Sequence, residues 1–251
     1  MPEFHDHFST RAADYAVYRP SYPPALIASL AQLAPARELA WDAGTGNGQA
    51  AVMLAAHVAR VVATDASAEQ IQRAQPNAKV SYRVAREGDS GLDANSVDLA
   101  TVAQALHWFD AERYYAEARR VLKPRGVCAV WTYGMPSIDA ETDAAWGRVH
   151  EREIHRFWPP ERKHVDAMYL DLPFPFEEIA HEPWQMAASL TREQFLGYVG
   201  TWSAVSRARE STGADPVAAM RAALDAVWSA DPEEVRTVRW PIGLRVGRKV
   251  N

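Results

Sequence analysis

Trp41-Asp42-Ala43-Gly44-Thr45-Gly46-Asn47-Gly48 places three alternate glycines behind a short apolar run. Leu39-Ala40-Trp41-Asp42 reads as a buried strand ending on an acid, and residues 49–59, rich in Ala, Leu and Met, read as a helix. Strand, glycine turn and helix together open a βαβ unit. Glycine tolerates the positive φ of such a turn and lets a ligand approach the backbone. A phosphate-gripping loop needs Gly-Lys-Ser/Thr, and no lysine follows Gly48. A dinucleotide fingerprint needs G-x-G-x-x-G. The spacing here is G-x-G-x-G, with Asp42 two residues before the first glycine. A carboxylate there repels a pyrophosphate and accepts from an ammonium, so the turn suits an amino-acid-bearing ligand.

Outward from the turn the alternation continues. Residues 60–65 form a second strand that also ends on an acid, Asp65. Ser67 is the expected N-cap of a helix through Gln75, which Pro76 stops. Residues 80–84, 97–103 and 127–133 are further strands, and 111–122 is a helix before the turn Lys123-Pro124-Arg125-Gly126. This order predicts a parallel sheet covered on both faces, with ligands beyond the carboxyl ends of its strands. An acid that ends a second strand can also take both ribose hydroxyls, which makes Asp65 the partner of the glycine turn. Later residues read as a strand at 177–188, helices at 191–206 and 215–229, and a last strand at 238–246 whose Pro241 suits an edge or a bulge. The fold class expected is therefore α/β, a Rossmann-like, seven-stranded, mostly parallel sheet with helices on both faces. Residues 1–251 are expected to be a single domain. Residues 1–35 cap it, 36–133 are the cofactor-binding core, 134–175 are a substrate-side insert and 176–251 complete the sheet.

The chain has 27 basic and 32 acidic residues, a net charge of -5. That balance gives no global case for nucleic-acid or anionic-membrane binding. The N-terminus lacks the basic start and apolar core of a signal peptide, and no stretch approaches the roughly 18 apolar residues of a membrane span. Cys128, the single cysteine, lies in an apolar run and reads as an inert core thiol. A cytoplasmic protein is expected. His5 and His7 sit close to the start, and His150 and His155 have no matched acid pair, so no metal is expected.

Asp42-x-Gly44-x-Gly46-x-Gly48 with Asp65 resembles the first two cofactor motifs of class I S-adenosylmethionine-dependent methyltransferases. The stretch 96–110, with Gln104-Ala105-Leu106-His107-Trp108 at its centre, is similar to a type 11-like subfamily that includes trans-aconitate methyltransferase-like proteins. The resemblance reaches the N-terminal Tyr15, Tyr18 and Arg19, and also the late segments Thr201-Trp202-Ser203-Ala204 and Val238-Arg239-Trp240-Pro241. It implies the class I methyltransferase fold and S-adenosylmethionine as cofactor. Asp42 would orient the amino end and Asp65, with Ala66, the ribose. Thr45 and the glycines would line the cofactor, and Ala103, Gln104 and Ala105 would pass beside its methionine part. Relatives carry Ala-Glu before Gly-Leu for the adenine amino group. This chain has Arg86-Glu87-Gly88-Asp89-Ser90-Gly91-Leu92, so Glu87 and Asp89 are the two candidates.

On the acceptor side His107 is the candidate base or contact, Trp108 a wall, and Tyr15, Tyr18 and Arg19 a lid. Tyr15 and Tyr18 share a helix face. A carboxylate acceptor needs no base but needs a cationic clamp, drawn from Arg19, His107 and the group Arg148, Arg152, Arg156, Arg162 and Lys163. Most of that group reads as a solvated helix face. The function expected is methyl transfer to a small-molecule acceptor by a monomer or homodimer, a carboxylic acid being one acceptor class. The alternatives are an NAD(P)-dependent oxidoreductase, although no Tyr-x-x-x-Lys pair accompanies the turn, and a cofactor-binding protein without catalysis.

Overall fold

In the computed structural model, which describes residues 20–250, eight strands build one sheet. They are β1 (Leu39–Ala43), β2 (Arg60–Asp65), β3 (Val80–Val84), β4 (Val97–Ala103), β5 (Leu122–Tyr133), β6 (Glu177–Glu178), β7 (Trp184–Thr191) and β8 (Val235–Arg248). The order is β3-β2-β1-β4-β5-β8, with β6 and β7 both on the outer side of β8. The first five strands are parallel, and β8 runs antiparallel to its neighbours. Glu178 pairs with Gly247 and Trp184 with Ile242, so the register slips by one residue across 179–183. β6 and β7 thus share one edge position, and the sheet has seven positions as expected.

The helices are α1 (Pro24–Leu33), α2 (Gln49–Leu54), α3 (Ala68–Gln72), α4 (Ala111–Val121), α5 (Ala140–Val149), α6 (Arg162–Asp166), α7 (Arg192–Gly200), α8 (Ser203–Thr212) and α9 (Pro216–Leu224). Successive strand residues face opposite sides. Ala40, Leu99, Ala129 and Trp131 join a core with residues of α1, α2 and the C-terminal helices. Trp41, Ala100, Cys128 and Val130 join a second core with Tyr114, Ala118 and Val121 of α4. Burial on both faces is why these strands lack an apolar–polar alternation. Among the described residues, no helix is long and apolar enough to cross a membrane.

Several elements are shorter than their patterns suggest, because side-chain and loop contacts end them. The helix opened by Gln49 stops at Leu54 rather than at 59, and the Ala59 N–H instead reaches the Arg37 carbonyl at 2.8 Å. Ser67 caps α3 as expected, its hydroxyl accepting from the Gln70 N–H, but the helix ends at Gln72. Beyond it the Gln75 N–H donates to the Asn47 carbonyl at 2.9 Å, tying the chain to the glycine turn. The helix expected at 191–206 is two helices, broken where Trp202 adopts an extended backbone and buries its indole. β5 starts at Leu122, earlier than expected. Leu122 pairs with Val97 and Val127 with Leu99, so Lys123-Pro124-Arg125-Gly126 bulges out between two paired residues. Arg125 has a φ of 63°, the conformation glycine takes most readily. Lys123 reaches the buried Asp98 at 2.7 Å, and Asp98 accepts from the N–H groups of Glu38 and Leu39. The turn thereby fixes the start of β1.

Candidate active site

The strand order reverses between β1 and β4, whose carboxyl ends face a common crevice. The turn 44–48 leaves β1 at that point. Glycine is required at Gly44 and Gly48 by crowding. A Cβ on Gly44 would stand 2.7 Å from that of Ala105, and one on Gly48 would stand 2.2 Å from the Tyr82 hydroxyl. A Cβ on Gly46 would meet nothing within 4 Å among the described residues, so that side of the turn faces open space of the kind a ligand fills.

Asp42 closes β1 with no exposed surface. Its Oδ2 accepts from the Thr45 hydroxyl at 2.6 Å and its Oδ1 from the Thr101 hydroxyl at 2.7 Å. Burial pushes its carboxyl up to about 6, against the pull of those two hydroxyls. Asp65 closes β2 in register with the turn. Its Oδ2 accepts from the Gly46 N–H at 2.8 Å and its Oδ1 from the Ser67 N–H at 2.9 Å. Ala66 follows it, half-buried. The two carboxylates expected to bracket a ligand therefore stand on either side of the glycine turn, each held by donors of the chain itself.

The loop after β3 begins beside Asp65, whose carbonyl accepts from the Ala85 N–H at 3.0 Å. Two residues on, Glu87 is half-buried, whereas Asp89 is exposed and faces Arg120. The loop is pinned to α4, where Glu117 accepts from the Ser90 N–H at 3.0 Å and Arg120 reaches the Leu92 carbonyl at 2.7 Å.

Ala103, Gln104 and Ala105 lie where β4 ends. Gln104 has a φ of 56°, a cost for a residue with a side chain. Its amide oxygen accepts from the Thr132 hydroxyl at 2.7 Å and from the Tyr133 N–H at 2.9 Å, and its own N–H donates to the Trp131 carbonyl at 2.8 Å, which ties the residue to β5. Leu106–Trp108 follow as one 3₁₀ turn. His107 Nδ1 is 2.8 Å from the Tyr169 hydroxyl, and its ring tilts against Trp108 at 4.8 Å. Burial, then Arg162 and His164, push its imidazole down to about 3, so it is neutral at pH 7. Tyr15, Tyr18 and Arg19 lie outside the described residues, as do His5 and His7.

Three partners were not singled out in the sequence: Thr101 on Asp42, Tyr82 under Gly48 and Tyr169 on His107. Thr101 is legible afterwards as the hydroxyl opposite Asp42 in the parallel register. Tyr169 carries no local signal, since it lies 62 residues from His107. Among the expected cations, Arg148, Arg152, Arg156 and Lys163 are exposed, and Arg162 stands apart from them as largely buried. His150 and His155 do acquire one acid, Glu151, with potential ligand atoms within 4.8 Å of one another. His150 Nε2 already accepts from the Trp158 indole at 2.9 Å.

The family model described as "Methyltransferase domain" matches residues 41–130, from the last turn of β1 into β5. A Dictyostelium discoideum protein named as a methyltransferase is 34% identical over 80% of this chain and 78% of its own length. A Mycobacterium tuberculosis protein named as an uncharacterized methyltransferase is 32% identical over 78% of this chain and 76% of its own. A solved structure from Anaeromyxobacter dehalogenans, described as a type II methyltransferase, is 46% identical and superposes with a TM-score of 0.87. It covers 93% of this chain and 99% of that one. A relative more than 30% identical over most of both chains shows the family, and the chain belongs to the methyltransferase family.

Proposed function

We propose that the protein transfers the methyl group of S-adenosylmethionine to a small organic acid. The observation that carries the cofactor is the glycine turn, open beside Gly46 and flanked by Asp42 and Asp65. Two backbone N–H groups hold the Asp65 carboxylate in a fixed orientation, and its remaining lone pairs suit the ribose hydroxyls. Asp42 supplies the negative charge that an ammonium or sulfonium requires, with Thr45 and Thr101 fixing its plane. Glu87 is the better placed of the two adenine candidates, because it is half-buried two residues past the Asp65–Ala85 bond, whereas Asp89 is exposed. Gly44, Thr45, Gly48, Ala66, Ala103, Gln104 and Ala105 line the remainder. Residues 134–175, which bring Tyr169 to His107, form the acceptor side.

Bound S-adenosylmethionine supplies a methyl group on a sulfonium, an activated leaving group that departs as a neutral thioether. The chain then has to align the acceptor and exclude water. His107 is too weak a base at about 3 to take a proton from an alcohol or amine, so its role is a neutral contact through Nε2. An acceptor that arrives ionised, as a carboxylate does, needs no proton removed. The test is calorimetric titration with S-adenosylhomocysteine. We expect micromolar binding that Asp65→Ala weakens by ~1–3 kcal/mol, the size of lost hydrogen bonds to a charged group. Well-folded protein that binds NADH and not S-adenosylhomocysteine would sink the reading.

A further inference from the structure

Arg162 opens α6, which packs directly on the 3₁₀ turn that carries His107. Its guanidinium carbon lies 4.4 Å from the centre of the Trp158 ring, within cation–π range. Its Nε donates to Asp166 Oδ1 at 2.8 Å. Its Nη2 is buried and meets no acceptor among the described residues. The side chain is 14% exposed, whereas Asp166 is 52% exposed, so the counter-ion sits at the surface and the far side of the guanidinium faces inward.

A buried charged donor without a partner costs free energy in the folded chain. Trp158 also packs on Trp202 at 5.7 Å and on His150 at 6.4 Å, so its place does not rest on the arginine alone. The groups around it are His107 and His150, both held neutral by burial, together with Trp158 and the buried Tyr169. His164 is already spent on Asp171 at 2.7 Å. The arrangement is one cation, paired with Asp166 on its outer side and with Nη2 unpaired, beside aromatic rings and neutral imidazoles; these described neighbours offer no second free charge.

We propose that Arg162 recognises the acidic group of the methyl acceptor, and that this acceptor is an apolar monoacid rather than a polyacid. A guanidinium with its free edge inward matches one carboxylate. Further carboxylates would be buried against neutral imidazoles and indoles with no compensating charge, which is costly. This assignment rests on the organic-acid reading above.

The experiment is calorimetric titration of the full chain with phenylacetate, hexanoate, phenylacetamide and tricarballylate, each with and without saturating S-adenosylhomocysteine. Wild type, Arg162→Gln and Arg162→Lys are compared. Phenylacetate or hexanoate is expected to bind wild type and to lose at least tenfold in affinity in Arg162→Gln, with Arg162→Lys between the two. Phenylacetamide affinity and S-adenosylhomocysteine affinity stay unchanged in both variants, which shows that the fold is intact. Equal acid affinity in wild type and Arg162→Gln overturns the assignment, as does failure of both monoacids to bind wild type. Tighter binding of tricarballylate than of either monoacid overturns the monoacid preference. Loss of S-adenosylhomocysteine binding in wild type would fault the methyl-transfer reading instead, and the titrations without it would still decide Arg162.

Discussion

Asp42 is a carboxylate with complete burial, and its raised value of about 6 has a thermodynamic consequence. The folded chain binds this proton more tightly than the unfolded chain, whose value is 3.8. Stability therefore falls as pH rises from about 4 through about 6, and the loss is complete above that window. A difference of roughly two pKa units corresponds to about 3 kcal/mol. Asp42→Asn, which mimics the protonated form, is expected to gain on wild type by about 2–3 kcal/mol more at pH 8 than at pH 4. Urea denaturation at the two pH values checks this, and a pH-independent gap would count against it. The same substitution should weaken S-adenosylhomocysteine binding, because the charge that destabilises the fold is the one we assign to the ligand.

At the scale of elements, the insert is seated by two glycines of the sheet region that differ in what they shelter. Met168 and Tyr169 both have positive φ, 53° and 61°, a strained pair that delivers the Tyr169 hydroxyl to His107. A Cβ on Gly243 of β8 would stand 2.5 Å from the Met168 Cβ and 2.8 Å from its carbonyl oxygen. Neither can move without shifting the backbone. A Cβ on Gly134 would stand 2.5 Å from the terminal methyl of Met168, the far end of a flexible side chain, and 3.3 Å from Cγ of Pro241, with no backbone atom as close. Gly243→Ala is expected to cost ~1–3 kcal/mol, the usual penalty of overpacking, and to disturb the His107 ring. Gly134→Ala is expected to cost clearly less. Thermal melts rank the two, and equal losses would argue against the seat described for Met168.

For the molecule as a whole, acid stability is set by groups of opposite sign. His107 at about 3 and His150 at about 4 are both held below the ordinary 6.5, mainly by burial. Each is neutral in the folded chain, while the unfolded chain takes up a proton below 6.5. Their effect is to remove stability as pH falls from about 6.5 toward 4 and 3, opposing Asp42 over part of that range. A single group such as His107 contributes at most about 1.4 kcal/mol per pH unit. Replacing both, as His107→Asn with His150→Gln, should flatten the fall in unfolding free energy between pH 6.5 and pH 4.5. The slope is the readout, because the substitutions also remove hydrogen bonds to Tyr169 and Trp158.

Residue order alone determined the parallel core, because strand, glycine turn and helix are local patterns and their periodicities survive in the fold. It also determined the pairing of Asp42 with Asp65, since each closes a strand and neighbouring parallel strands end side by side. The seven sheet positions were legible for the same reason, but the place of Pro241 was not: expected at an edge or a bulge, it pairs Gln185 of β7 inside β8, and on the other side its carbonyl accepts from the Gly134 N–H at 2.9 Å. Element ends were less legible: α2 and α3 stop short of their patterns, and the Ala59 and Gln75 N–H groups donate to the distant Arg37 and Asn47 carbonyls. The surroundings of His107, which we assign to the acceptor, were decided only by tertiary structure. Tyr169 meets His107, and Arg162 is singled out from four exposed basic neighbours, because residues 134–175 fold back over the carboxyl edge of the sheet. Burial is a property of that packing, and burial is what makes His107 neutral, Asp42 hard to ionise and one arginine different from the rest.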